Sequence, residues 1–183
     1  MLDPLIVKAL SAGFGLLLLL AAVHKLSARH QFLATVKDYQ LLPDSMAAGI
    51  APVIPLLEIF LGCGWIFFFH PLWIAMGSAG LFSIYTGAIA INLARGRVHI
   101  GCGCGIAGSA EGDQHLSSGL LVRNGVLILL ALLATVPVSS RTLGIIDYAT
   151  VVSVLLAATL LYIAANQLLN NGAAIGAWRH SHD

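Results

Sequence analysis

The apolar positions of this chain come in long unbroken runs rather than in alternation. Five stretches, 4–23, 46–69, 71–93, 120–136 and 143–168, are almost wholly apolar. A helix needs about 20 such residues to cross the hydrocarbon core of a bilayer. The pattern therefore predicts an all-α polytopic membrane bundle of about five transmembrane helices, four around a central pocket and one packed outside. An odd number of spans places the two ends of the chain on opposite sides. The first run ends at His24-Lys25 without a small-x-small cleavage pattern, which reads as a retained span rather than a signal peptide. One bundle domain at 1–169 and a polar tail at 170–183 complete the organisation, with no internal repeat.

Between the first two runs, Phe32, Leu33, Val36 and Tyr39 fall at helical spacing, with Lys25, Arg29, Lys37 and Asp38 interleaved. Ser27 is a candidate N-cap, and Pro43 blocks simple continuation. The expectation is a short amphipathic helix on the membrane surface; a solvated connector is the plainer alternative.

Composition agrees. Of 183 residues, 58% are hydrophobic and only 9% charged, with a net charge of +1 and a mean hydropathy of +0.92. Soluble domains carry about 25% charged residues, so this chain belongs in lipid. The near-neutral charge gives no reason to expect nucleic acid.

A few polar residues interrupt the runs. Pro52 and Pro55 predict a bend in the second span, and Glu58 follows one turn later. A carboxylate at that depth is protonated or partnered; Tyr85, at comparable depth on an antiparallel third span, is the first candidate partner. Cys63, between Gly62 and Gly64, reads as a small hydrophobe at a close helix contact. Arg123, in the first turns of the fourth span, either snorkels to the interface or turns inward toward Glu58 or a ligand.

The segment from Arg95 to Gly119 is polar and glycine-rich, and carries Cys102-Gly103-Cys104. A disulfide needs Cα atoms about 4.4–6.8 Å apart, which residues two apart reach only through a tight turn that Gly103 permits. A strained disulfide of this kind is labile and suited to exchange. His99, Arg95 and Arg97 are near in sequence and would favour the thiolate. Two alternatives stay open. Two thiolates with His99 and His115 could bind Zn²⁺ or Cu(I), although Cys-x-Cys is not the usual zinc spacing; or the pair is structural.

Several segments together resemble the methylamine utilisation protein MauE family. They are His24-Lys25-Leu26, Asp38-Tyr39 with Leu41-Leu42-Pro43, Leu56-Leu57-Glu58, Asn92-Leu93-Ala94-Arg95-Gly96-Arg97, Cys102-Gly103-Cys104 and Leu121-Val122-Arg123-Asn124, over roughly residues 14–135. Gly105 departs from the pattern, since family members often carry Phe there. The resemblance implies a thiol–disulfide oxidoreductase that supports disulfide formation during methylamine dehydrogenase maturation. The implied partner is a thioredoxin-like MauD-type protein, and the dehydrogenase small subunit is the indirect client. The layout also looks like membrane thiol oxidoreductases related to vitamin K epoxide reductase, which implies a quinone held between the spans. On that basis Cys102 and Cys104 are the candidate catalytic residues, Cys102 facing the partner. Glu58, Tyr85, Asn92 and Arg123 are the candidate quinone-pocket residues, chosen by depth and polarity. The alternatives are a non-catalytic membrane scaffold and a Cys/His metal-binding protein.

Sidedness is contested. Lys25, Arg29, Lys37, Arg95, Arg97 and Arg179 gather on the side of the cysteine segment, whereas Arg141 lies on the other and Lys8 within the first span. The positive-inside rule puts that side in the cytoplasm, while disulfide formation needs an oxidising compartment. The expectation is a bacterial inner membrane with the Cys-Gly-Cys toward the periplasm.

Overall fold

The computed structural model describes residues 2–97, 116, 118–139 and 141–180, with side chains as far as 168 other than 166. Among them the elements are helical: α1 (Pro4–Ser27), α2 (Arg29–Asp38), α3 (Asp44–Ile66), α4 (Pro71–Ala94), α5 (Ser118–Leu133) and α6 (Ile145–His180). The all-α polytopic bundle expected from the pattern is what forms. Within α1, α3, α4 and α6 lie segments long and apolar enough to cross a membrane.

Helix α1 starts where Asp3 accepts a hydrogen bond from the Leu5 N–H at 2.9 Å and Pro4 occupies the first turn. Both features satisfy the exposed donors of a helix start. It runs one turn beyond the apolar stretch, to Ser27. Ser27 is thus the last residue of α1 rather than a cap of α2. The chain bends at Ala28 and α2 begins without a side-chain cap. The bend is mild because the Ala28 N–H still donates to the His24 carbonyl and the Phe32 N–H to that of Ala28. The expected amphipathic helix is present: Phe32, Leu33, Val36 and Tyr39 are half-buried and Gln31, Ala34 and Asp38 exposed. It packs against α3.

Helix α5 has 16 residues, about 24 Å at 1.5 Å per residue, short of the ~30 Å hydrocarbon core. A turn at 134–136 extends it, so the chain still reaches the face where α1 begins. There the Leu2 N–H donates to the Pro137 carbonyl at 3.0 Å, and the Ser139 N–H to the Leu2 carbonyl at 2.9 Å. Lys8 belongs to the same face, its ammonium 3.7 Å from the Phe68 ring centroid in the turn between α3 and α4. The opposite face then carries the end of α1, all of α2, the start of α3, the end of α4 and the start of α5. It is the face from which the cysteine segment leaves at Arg97 and to which it returns at Leu116. The polar stretch from 170, expected as a tail, continues α6 as helix to His180.

Helix α1 packs chiefly on α3 and α4 chiefly on α5, while α6 lies outside, mainly against α1. The core is made by stripes at helical spacing. On α1 the buried positions are Val7, Ser11, Phe14, Leu18, Ala22 and Lys25, with Gly15 beside them. Where α1 crosses α3 the backbones meet at Gly15 and Gly62: a Cβ on Gly62 would lie 2.9 Å from Leu19 Cγ and 3.2 Å from the Gly15 carbonyl. Small residues at such crossings let helices approach in lipid. Next to it Phe14 stacks on Trp65 with centroids 5.1 Å apart. The Trp65 indole donates to Ser78 Oγ at 2.9 Å, and Ser11 Oγ donates to the Trp65 carbonyl at 3.2 Å. At Gly64 the side chain of Ile74 on α4 fills the space that a Cβ would take. Cys63 between these glycines is a half-buried thiol with no disulfide among the described residues.

Candidate functional site

The polar residues of the bundle gather in the half nearer α2. Glu58, one turn after Pro55, lies on the buried stripe of α3 and is 1% exposed. Its Oε1 accepts two hydrogen bonds, from Lys25 Nζ at 2.6 Å and from the Tyr85 hydroxyl at 2.7 Å. Tyr85 is the partner expected from depth. Lys25 is an addition, and it is 4% exposed. A residue three positions from the end of α1 would ordinarily extend into the headgroups. Side chains on a helix lean toward its N-terminus, however, and Lys25 occupies the buried stripe that Phe14, Leu18 and Ala22 begin. Its ammonium therefore dips into the bundle. The sequence signal was the 4-4-3 spacing from Phe14 to Lys25.

An ion pair so deep is sustained because the attraction between the two charges, 2.6 Å apart, offsets the cost of taking each out of water. Glu58 Oε2 has no hydrogen-bond partner among the described residues, so one face of the carboxylate remains an open acceptor. A small cavity of about 30 Å³ adjoins it, lined by Lys25, Glu58, Tyr85, Arg123, Asn124 and Tyr162 among others. That is room for about one water. Arg123 turns inward here. Its Nη1 donates to the Tyr162 hydroxyl at 3.4 Å, its Nη2 to Asn124 Oδ1 at 3.4 Å, and its guanidinium carbon sits 5.7 Å from the Tyr162 ring centroid.

A second, larger cavity of about 170 Å³ opens on the other side of Lys25 and Tyr85, beneath α2 and between α3 and α4. Its roof is tied to the end of α4. Arg95 Nη1 donates to the Gln40 carbonyl at 3.3 Å, and Arg97 donates to Gln40 Oε1. Gln40 sits in the left-handed region, at φ 46°, which turns its side chain and carbonyl toward these two arginines as the chain leaves α2.

Three of the four pocket residues expected from sequence, Glu58, Tyr85 and Arg123, thus line one cavity. The fourth does not. Asn92 is buried two turns farther along α4, donates to the Ala88 carbonyl at 3.1 Å and lines neither cavity. Depth alone grouped it wrongly, since seven residues of helix carry it about 10 Å along the axis. Its carbonyl oxygen has no partner among the described residues. Two residues sequence reasoning missed, Lys25 and Tyr162, complete the cluster. Cys102 and Cys104 lie outside the described residues, as do His99 and His115 of the metal alternative. Among the described residues no three His, Cys, Asp or Glu side chains group to hold a metal.

The donor set fits a neutral carbonyl better than an anion. The buried cation is already matched by a carboxylate at 2.6 Å, and the larger cavity is otherwise mostly apolar.

Comparison with known proteins extends this. The family model described as methylamine utilisation protein MauE matches residues 3–137. A protein of that name from Paracoccus denitrificans is 32% identical over 182 residues, 94% of this chain and 96% of its own. One from Paracoccus versutus is 33% identical over 167 residues, 91% and 88% of the two chains. One from Methylophilus methylotrophus is 39% identical over 104 residues, 56% and 54% of the two chains, so that this match spans about half of either protein. No solved structure matches.

Proposed function

The chain belongs to the methylamine utilisation protein MauE family, and on that premise we propose that it is a membrane thiol–disulfide oxidoreductase serving methylamine dehydrogenase maturation. The observation that carries this reading is a Cys-Gly-Cys in the segment between α4 and α5, whose described ends lie on the same face as the buried Lys25–Glu58–Tyr85 cluster.

Exchange begins when a thiolate of a thioredoxin-like partner attacks Cys102 of the Cys102–Cys104 disulfide. A mixed disulfide forms and the Cys104 thiolate leaves. The partner's second thiolate then attacks the mixed disulfide. The partner is left oxidised, and Cys102 and Cys104 together hold the two electrons. A quinone, when bound, takes up two electrons and two protons as its carbonyls become hydroxyls. Lys25 and Tyr85, where the two cavities meet, are the residues at hand to hold and protonate such a group, with Glu58 and Arg123 in the small cavity behind them. The chain's own part is to keep these donors dry and fixed.

The reading places the cysteine segment on the periplasmic side. The basic residues of that side have structural uses that favour it: Lys25 is buried against Glu58, and Arg95 and Arg97 hold Gln40. Their number is then a weaker guide to topology than the positive-inside rule assumes.

A Cys104→Ser variant tests the reading. Its Cys102 thiol should trap a partner as a disulfide that survives non-reducing electrophoresis, and mass spectrometry should identify a periplasmic thioredoxin-like protein. A cytoplasmic thioredoxin on Cys102 would overturn the placement. Normal dehydrogenase maturation in both Cys102→Ser and Cys104→Ser strains would reject the chemistry and leave a scaffold role.

A further inference from the structure

We infer that the cavity beneath α2 is the binding chamber for the quinone head, with Lys25 as the residue that donates to its carbonyl oxygen. This rests on the oxidoreductase reading and makes it specific. Two cavities meet at Lys25 and Tyr85, and they differ in kind. The one toward α5 and α6 is about 30 Å³, with Arg123, Asn124 and Tyr162 among otherwise apolar walls, and is too small for more than water. The one beneath α2 is about 170 Å³ and lined mainly by apolar side chains, among them Phe32, Val36, Ile50, Ile54 and Ile84. Its size and lining suit a lipid-soluble ring.

At its floor is an ammonium that is 4% exposed. A lysine ammonium carries three N–H donors and no acceptor, and Glu58 takes one of them. Beyond it the ammonium has the rings of Phe32 and Tyr85, with centroids 5.6 and 5.5 Å away, contacts weaker than a hydrogen bond to a buried donor. A carbonyl oxygen on an otherwise apolar molecule supplies that bond. An anionic lipid head does not, because it would sit against Glu58, which already balances the charge 2.6 Å from the ammonium. The shared chemistry of possible occupants is an apolar body with an acceptor at one end. The neutral Lys25–Glu58 pair selects the uncharged quinone over a phospholipid or fatty acid.

The floor and the roof also divide the labour. Glu58 and Tyr85 hold Lys25 in place from α3 and α4, whereas α2 closes the top and is anchored through Gln40 to Arg95 and Arg97. The chamber therefore adjoins the end of α4 from which the cysteine segment departs.

The test is equilibrium binding of decylubiquinone to the purified full chain in lipid nanodiscs, read by quenching of tryptophan fluorescence. Ala88→Phe fills the chamber and should weaken binding at least tenfold. Ile54→Trp is a second filling variant on α3, should Ala88→Phe fail to fold. Lys25→Met/Glu58→Gln removes the donor without stranding a charge and should weaken binding on the order of tenfold, the loss of one charge-assisted hydrogen bond. Binding is read with no thiol substrate present, so failure of the exchange chemistry would not register here. Wild-type affinity in the filling variants, no binding at all by the wild type, or displacement by equimolar phosphatidylglycerol would each overturn the inference.

Discussion

The two halves of the bundle are built on opposite principles. Toward the α3–α4 turn, α1 and α3 touch backbone to backbone at Gly15 and Gly62, Phe14 stacks on Trp65, and Ser11, Trp65 and Ser78 are linked by hydrogen bonds. Toward α2 the same helices enclose two cavities, an ion pair and a carboxylate oxygen without a partner. The helices are continuous, so the difference lies in side-chain size and polarity along each stripe. Small residues and aromatic rings draw the first half together, and long polar side chains hold the second apart. The tight half can then position the loose one, which is how a site with incompletely satisfied groups persists in a stable fold.

The sharpest way to break this contrast is to remove one charge of the loose half. Lys25→Met should destabilise the protein by about 3–5 kcal/mol, since it strands Glu58 in a dry interior. Lys25→Met/Glu58→Gln should recover most of that loss, and denaturant unfolding in detergent measures both. A double variant no more stable than Lys25→Met would mean that the pair does not act as a unit.

The tight half should respond to volume rather than charge. Gly62→Leu forces a side chain against Leu19 and the Gly15 carbonyl and should cost about 1–3 kcal/mol while leaving decylubiquinone affinity nearly unchanged. A large affinity loss at equal stability would show that the halves are not separable. Smallest is the outer face. Arg141 bonds Asp147 at 2.7 Å and lies 3.6 Å from Asp3, but is 48% exposed. Arg141→Ala should leave the unfolding midpoint within the scatter of repeat measurements, because exposed pairs contribute little.

Much of this was legible in the chain itself. The apolar runs located the spans, Gly62 and Gly64 marked a close contact, and Glu58 with Tyr85 was found from depth alone. What misled was reading each residue by its distance from a run's end. Distance from a run's end makes Lys25 a surface charge, Ser27 the N-cap of α2 and Asn92 a pocket residue, whereas Lys25 is buried, Ser27 ends α1 and Asn92 lies two turns from the cavity. In each case the missing quantity was direction: where α1 actually stops, and which way a side chain leans from it.

Apolarity and 3.6-residue periodicity are local properties, so the membrane class, the helical fold, the buried stripes and the Cys-Gly-Cys are all legible in the chain alone. It also carried the family, through short motifs that need no contacts to be recognised. That Lys25 and Tyr85 share one oxygen of Glu58, that Arg123 turns to Tyr162, and that an apolar chamber opens beneath α2 depends on how the helices pack. Those are meetings between helices far apart in the chain. Whether a buried charge finds its partner depends on helix rotation and crossing, which no single stretch of sequence contains.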